Sequence, residues 1–242
     1  MKRAAGPLSW VGRYATVSPA AGAHLAVRCL GFPHFDRLER ALPASGRILD
    51  LGCGHGLFAL LAASRAPGRE VLGIDLLEER LEIGCRVASR YGVGNVRFER
   101  RSAEDLPEWR FDAVAVADVL LYLPRESQRA ILERCASRLA PGGRLLVKEQ
   151  VRKPAWKARM VALQEAAAYG VRARLGLFRA WGEVVSPEVH LWEAQELGAL
   201  LRSLGLEVRG ERMDRRSYLS HHLFIAERDS SLRGYEGIPP AR

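Results

Sequence analysis

Residues Arg47 to Leu60 read RILDLGCGHGLFAL. Ile48, Leu49 and Leu51 form the apolar run of a strand buried on both faces, Gly52, Gly54 and Gly56 make a tight turn, and Leu57, Phe58, Leu60 and Leu61 begin a helical apolar face. A glycine turn at the start of a helix is a cradle for a small molecule. Its backbone can adopt positive φ and approach a ligand closely, and the helix N-terminus turns unpaired N–H groups towards it.

The spacing of the glycines and the acid before them narrow the ligand. A dinucleotide fingerprint is G-x-G-x-x-G, with its third glycine inside the helix. Here the third glycine arrives one residue early, at Gly56, and Leu57 fills the dinucleotide position. Asp50, just ahead of the turn, places a carboxylate where a phosphate is repelled and an ammonium group is welcome. At this point the chain resembles the class I, Rossmann-like S-adenosylmethionine-dependent methyltransferases, whose first motif is an acidic residue followed by G-x-G-x-G.

The 242 residues, 48% of them hydrophobic, suit one sizeable domain with an embellishment. No run reaches membrane-span length and MKRAAGPLSW lacks the apolar segment of a secretory signal, so the expected compartment is the cytoplasm. Cys29, Cys53, Cys85 and Cys135 form no C-x-x-C pair and have no histidine at ligand spacing, which leaves no metal site and no disulfide framework in prospect. Net charge is +9, and with only four lysines, 33 of the 37 basic residues are arginine. Basic charge spread over a surface does not amount to a nucleic-acid footprint, so no nucleic-acid partner is expected.

Taken in order, residues 1 to about 20 read as an irregular arm around Trp10 and Tyr14, and residues 21 to 42 as two short helices broken by Gly31 and Pro33. Tyr14 is either an anchor of this arm or, as the resemblance implies, part of a lid over the cofactor. After the glycine turn, VLGID forms a second strand ending at Asp75, 23 residues past Gly52. The family assigns that carboxylate to the ribose diol, and it can also cap the next helix. The third strand, Val96 to Arg100, leads into SAEDLP, which resembles the family's adenine-side D-A-x-x-L-P with Ser102 in place of the acid. Glu104, Asp105 or the Ala103 N–H would then make the adenine contact. FDAVAVAD, Phe111 to Asp118, is a fourth strand buried on both faces and its following acid, and the resemblance implies that Asp118 and, in the VLLYLP that follows, Tyr122 stand beside cofactor or substrate. Arg125 to Leu139 reads as an amphipathic helix ended by Pro141, Gly142 and Gly143, and LAPGGRLLVKE resembles the family's approach to its fifth strand.

From Arg152 to Gly182 seven basic residues face one acid, Glu165. Trp156, Met160, Leu163 and Ala167, then Val171, Leu175 and Phe178, recur at helical spacing, which predicts basic amphipathic helices forming a cover, with the apolar residues towards an acceptor and the basic face towards an acidic or lipid-like substrate or a membrane surface. A helix over Trp192 to Leu204 and strands over Leu206 to Met213 and Tyr218 to Glu227 close the chain. The expected architecture is α/β: a doubly wound, seven-stranded, mostly parallel sheet with an antiparallel last strand. Residues 1–45 form an N-terminal arm and helices on the substrate side, 46–228 the S-adenosylmethionine-binding domain with a helical insertion at 152–190, and 229–242 a flexible tail.

The resemblance assigns to the cofactor Asp50, Gly52, Cys53, Gly54 and Gly56 in the turn, Asp75 and Leu76 after the second strand, Ser102, Ala103 and Glu104 after the third, Asp118 after the fourth, and Tyr14 from the arm. Methyl transfer from a sulfonium asks the protein mainly to position the acceptor and exclude water, with a base where the nucleophile is a hydroxyl. Missing motifs narrow the acceptor. No Asn/Asp-Pro-Pro-Tyr/Phe follows the fourth strand, no Pro-Cys is present, and no Asp-Asn pair follows the fifth strand. O-methylation of a small apolar or lipid-like acceptor leads, with N- or C-methylation beside it. His190, His222 and Glu149 are the candidate bases, with His221 facing the opposite way from His222 and His55 on the cofactor side. Two readings from other classes remain, a nicotinamide-dependent oxidoreductase and a non-catalytic RNA- or membrane-binding module on the same fold.

Overall fold

The computed structural model describes residues 6–31, 35–174, 189–213 and 220–231. Its strands are β1 (Gly46–Leu51), β2 (Arg69–Asp75), β3 (Val96–Arg100), β4 (Phe111–Ala117), β5 (Leu139–Gln150), β6 (Leu206–Arg212) and β7 (His221–Arg228). They form one sheet in the order β3-β2-β1-β4-β5-β7-β6, with β7 alone running against its neighbours. That is the mostly parallel sheet with an antiparallel last strand that the sequence predicts. The helices are α1 (Pro7–Ala15), α2 (Pro19–Gly31), α3 (Phe35–Arg40), α4 (Leu57–Arg65), α5 (Glu78–Arg90), α6 (Arg125–Ser137), α7 (Ala155–Arg174) and α8 (Ala194–Ser203).

Alternation along the central strands divides the core in two. Ile48, Ala113, Ala115 and Leu146 face α4 and the N-terminal helices, while Leu49, Leu51, Val114, Val116, Leu145 and Val147 face α6 and α8. Helices cover both sides, which is why these strands read as continuous apolar runs. The order of the sheet reverses between β1 and β4, so a crevice opens beyond their C-terminal ends, where doubly wound sheets bind ligands.

Three elements differ from expectation. The N-terminal arm is helical: Pro7 occupies the first turn of α1, where its missing N–H costs nothing, and Trp10 and Tyr14, one turn apart, are both buried. The helix before β5 ends at Ser137 rather than at the Pro-Gly-Gly, because β5 already pairs Leu139 with Phe111 and then skips to Arg144 opposite Ala113. The Pro-Gly-Gly is thus a bulge within the strand, with Gly142 at φ +73. In α7 the side chains of Trp156, Met160 and Leu163 are exposed, and Val161 turns inward against Leu121 and Leu191. The apolar stripe expected to line an acceptor pocket therefore faces away from the core. Leu175 and Phe178 of the insertion, the start of the expected last strand at Tyr218, and the tail past Ser231 lie outside the described residues.

The N-terminal helices are fixed to the sheet by paired charges. Glu39 on α3 accepts from Arg65 on α4 (2.8 Å) and from Arg69 on β2 (2.7 Å), and Arg69 also donates to the Pro43 and Ala62 carbonyls. Among the described residues the Arg65 Nε is the one fully buried side-chain polar atom of this cluster without a partner, so α3 is held where Phe35 can reach the crevice.

Candidate cofactor and acceptor site

The glycine turn forms where the sequence places it. Gly52, Gly54 and Gly56 have φ of +70, +56 and +78, a region that side chains with a Cβ avoid. Each glycine meets something different. A Cβ on Gly52 would lie 2.5 Å from Val119, and one on Gly56 would lie 2.3 Å from Phe98, so both are demanded by packing. Gly54 has nothing closer than 3.9 Å. Its surroundings leave room for a ligand to approach the backbone.

A cavity of about 550 Å³ opens above this turn, within the range of small-molecule sites. Its wall includes Asp50, Gly52, Cys53, Gly54, Asp75, Leu76, Ser102, Ala103, Glu104 and Asp118 of the predicted cofactor set, together with His55 and Tyr122. Gly56 and Tyr14 stand behind the wall. Gly56 precedes α4 and packs on Phe98. Tyr14 is fully buried in α1 and its hydroxyl donates to the His55 carbonyl at 2.5 Å. It pins the glycine turn from below, which answers the choice between anchor and lid in favour of anchor.

Asp50 is buried, and its Oδ2 has no hydrogen-bond partner among the described residues. Burial pushes its carboxyl up to about 7; a hydrogen bond from the Ala59 backbone pulls down and the nearby Asp75 pushes up. A buried acid with an open acceptor atom in a cavity is suited to an ammonium group. Asp75 is placed to do two things at once: Oδ2 accepts from the Gly54 N–H (2.8 Å) and Oδ1 from the Leu77 N–H (3.0 Å). Each oxygen can accept a second hydrogen bond and Asp75 lines the cavity, so capping the turn and receiving a ribose diol are compatible. Ser102 uses its Oγ to accept the Glu104 N–H, shaping the turn that presents Ala103.

The expected bases lie elsewhere. Glu149 Oε1 accepts the Val119 and Leu120 N–H groups, both at 2.8 Å, and fixes the short 3-10 turn Leu120–Tyr122. Burial and the neighbouring Asp118 raise its carboxyl to about 8. It is a buried brace, away from the cavity wall. His222 stacks its ring on Phe224 at 6.0 Å, and His190 lies in a segment whose backbone is bonded to Leu121 and Gln128. Neither ring reaches the cavity wall. His221, on the other face of β7, is fully buried with Nε2 3.5 Å from Asp118 Oδ1, and Lys148 binds Asp118 Oδ2. Asp118 takes φ +57 there, a strained conformation held by this cluster and by Glu149.

The cavity also takes in His24 and Leu25 from α2, Phe35 from α3, Phe58 from α4, and Arg80 and Arg101. The sequence pattern marks Leu25 and Phe35 as inward, but nothing in their spacing tells that this face overlooks the glycine turn. His24 carried no motif at all.

An acid, a glycine turn and a second acid at the ends of adjacent parallel strands, in a sheet with one reversed strand, define the class of methyl-transferring folds that bind an adenosyl amino acid. The chain belongs to the class I S-adenosylmethionine-dependent methyltransferase family. Residues 48–143 match the family described as Methyltransferase domain. The chain is 35% identical over 176 residues to a ubiquinone biosynthesis O-methyltransferase of Xanthomonas axonopodis pv. citri, a match covering 71% of this chain and 66% of that one. It is 36% identical over 116 residues to the protein of the same description from Xylella fastidiosa, covering 46% of this chain and 45% of the other. The chain thus spans less than two thirds of the length of these relatives. Among solved structures it is similar to an O-methyltransferase family protein from Burkholderia thailandensis (TM-score 0.67, 21% identity, 93% of this chain and 63% of that one). It is also similar to the 1,6-didemethyltoxoflavin-N1-methyltransferase of the same organism, solved with S-adenosylhomocysteine (TM-score 0.62, 20% identity, 93% and 91%). At these identities the structural likeness speaks for the fold.

The residues present fit the family's cofactor. Asp50 would hold the amino group, Gly52 to Gly54 the amino-acid chain, Asp75 the ribose, and the Ser102 to Glu104 turn the adenine. Bound there, the cofactor supplies an activated methyl group. Asp75→Ala is expected to weaken S-adenosylhomocysteine binding at least about tenfold, or about 1.4 kcal/mol, since it removes the ribose acceptor and loosens the Gly54 turn. Calorimetry giving equal affinities would remove Asp75 from the site.

Asp50 also sets a pH dependence. In the empty site its raised carboxyl keeps a proton that the unfolded chain has already lost between about pH 4 and 7, so the free protein loses stability as pH rises through that window. Binding of a ligand ammonium needs the ionised form. Affinity for S-adenosylhomocysteine should therefore be full above about pH 7 and fall by up to about tenfold per unit below it. Asp50→Asn should bind weakly with a flat profile between pH 5.5 and 8, within about threefold; a steep profile in that variant would assign the proton to another group.

Proposed function

We propose that this chain is an O-methyltransferase that moves the methyl group of S-adenosylmethionine to a hydroxyl of a small, apolar, lipid-like acceptor. The observation that carries the reading is the meeting of two chemistries in one cavity. Its lining brings Asp50, Gly54 and Asp75 together with the apolar side chains of Leu25, Phe35, Leu57 and Phe58. An apolar wall of this kind takes an acceptor by burial of surface and keeps water from the transferred group. The ubiquinone biosynthesis O-methyltransferases named above support a lipid-like acceptor.

The test uses methyl-labelled S-adenosylmethionine and tert-butylcatechol as an apolar hydroxyl probe. Label should appear in the organic extract as the methyl ether, in proportion to enzyme and time. Absence of transfer to this probe and to longer alkyl catechols, with S-adenosylmethionine bound, would overturn O-methylation.

Part of the same reading is contact with an anionic lipid surface through α7. Trp156, Met160 and Leu163 make an exposed stripe at i, i+4 and i+7, with exposed Arg152, Lys153 and Arg159 close in sequence. Co-sedimentation with phosphatidylglycerol vesicles should be salt-sensitive and should drop on Trp156→Ser with Met160→Ser. Sedimentation unchanged by those substitutions would separate α7 from any membrane role.

A further inference from the structure

Glu149, expected from the sequence as a base, stays off the cavity wall, yet it is tied directly to one part of it. That part is the turn after β4, from which Asp118, Val119, Tyr122, Leu123 and Pro124 line the cavity. The glycine turn after β1 lines the same cavity, and the two turns touch: a Cβ built on Gly52 would lie 2.5 Å from the Val119 side chain. The position of Val119 therefore sets how closely the turn that carries Tyr122 approaches the cofactor glycines.

The turn after β4 is held bond by bond. The Asp118 N–H donates to the Lys148 carbonyl at 2.9 Å, the Leu121 carbonyl accepts the His190 N–H at 2.9 Å, and the Leu123 carbonyl accepts from the Gln128 amide at 2.8 Å. The Val119 and Leu120 N–H groups open the 3-10 turn, where a helical turn offers them no acceptor of its own. Both go to Glu149 Oε1, each at 2.8 Å. Glu149 Oε2 has no hydrogen-bond partner among the described residues, so one oxygen makes the whole tie. It reaches across from β5, the neighbour of β4 in the sheet and a strand that contributes no lining residue to the cavity.

We propose that Glu149 is a positioning residue for methyl transfer: its Oε1 fixes Val119 and Leu120, and through them holds the Tyr122 turn at the distance from the glycine turn that transfer requires. The inference rests on the O-methyltransferase reading for its acceptor. In-line displacement is steep in geometry, and a misplacement of about 1 Å can cost about a hundredfold in rate. Asp50, Asp75 and the Ser102 to Glu104 turn stand on other strands and keep their places when the tie is cut, so the cost falls on transfer and spares cofactor binding.

The experiment compares wild type with Glu149→Leu, which removes the acceptor oxygen, Glu149→Asp, which withdraws it by one methylene, and Glu149→Gln, which keeps it. Three quantities are read: methyl transfer from S-adenosylmethionine to tert-butylcatechol, S-adenosylhomocysteine affinity by calorimetry, and amide hydrogen exchange of the peptide over residues 119–123. Glu149→Leu and Glu149→Asp are expected to lower kcat by about thirtyfold or more and to speed exchange by about tenfold or more, with S-adenosylhomocysteine affinity within about threefold of wild type. Glu149→Gln should rescue rate and exchange to within about threefold of wild type. Should Glu149→Leu fail to fold, Glu149→Asp decides. A kcat within about threefold of wild type in Glu149→Asp would overturn the proposal and leave O-methylation standing, as would unchanged exchange over residues 119–123. Cofactor affinity falling as far as the rate would overturn it too and make Glu149 a general support of the fold, and a Glu149→Gln enzyme as slow as Glu149→Leu would rule out the tie through Oε1. No transfer by the wild type would instead bring down the reading on which the proposal rests, with the exchange comparison still showing whether Glu149 holds the turn.

Discussion

Lys148→Met should destabilise the protein by about 3–5 kcal/mol at neutral pH. Lys148 is fully buried and its ammonium binds Asp118 Oδ2, so the substitution keeps the packing volume and leaves a carboxylate 6% exposed without its cation. The loss should shrink as pH falls. An orphaned buried carboxylate sheds its charge by taking a proton, so acid pH relieves the variant more than the wild type. The double variant Lys148→Met, Asp118→Leu should recover a large share of the lost stability at pH 7, because it replaces the pair rather than orphaning one partner. Urea unfolding at several pH values reads all three. A single variant as stable as wild type would mean the pair contributes nothing to the fold.

Gly56→Ala should cost about 2–4 kcal/mol, by two separate causes. The residue has φ +78, which an alanine holds at about 1–2 kcal/mol. Its new Cβ would also meet the Phe98 ring at 2.3 Å. That ring cannot retreat freely, for Gly73 and Gly84 close on it from the strand and helix behind: built Cβ atoms there would lie 2.8 and 3.2 Å from it. Overpacking of this kind typically costs about 1–3 kcal/mol. Phe98 is thus the floor of the glycine turn, seated in three glycines that belong to the turn, β2 and α5. Adding Phe98→Leu to Gly56→Ala should relieve the clash and leave the left-handed strain. If the single variant unfolded at the wild-type urea midpoint, this account of the third glycine would fail.

These two sites show where sequence reading was strong and where it stopped. Gly56 was legible as a turn residue because a strand run, three glycines and a helical face follow one another in local order. Its contact with Phe98, forty-odd residues on, was not, since no periodicity connects a glycine to an aromatic on another strand. Strands β1 to β5 were legible for the same local reason: fully buried parallel strands are written as apolar runs. Asp50, Asp75 and Asp118 all line the cavity because each stands at or beside the C-terminal end of such a strand, and strand ends of a doubly wound sheet share one edge.

The bases were not legible. Position at the end of β5 suggested Glu149, yet the 3-10 turn after β4 consumes its carboxylate as a backbone brace. Adjacent histidines on β7 presented a parity that sequence could not resolve, and the buried member is His221, not His222. The N-terminal helices hid most. A stretch rich in Gly, Pro, Ala and Ser looked irregular, although Pro7 at a helix start and Trp10 and Tyr14 one turn apart are the marks of α1. Once that pair is buried, α2 lies over the glycine turn and His24 enters the cavity. The stripe on α7 failed in the opposite sense. Its spacing was helical as expected, but spacing alone does not say whether a stripe faces the core or solvent.

The fold by itself does not choose an acceptor, since neighbours of this architecture are described as O- and as N-methyltransferases. What the chain's own residues specify first is the cofactor. The most direct test of that claim is a calorimetric titration of the purified chain with S-adenosylhomocysteine at pH 8, with reduced nicotinamide adenine dinucleotide as competitor. The account predicts a one-to-one isotherm that the dinucleotide does not disturb. No heat of binding for S-adenosylhomocysteine, or displacement of it by the dinucleotide, would contradict the account.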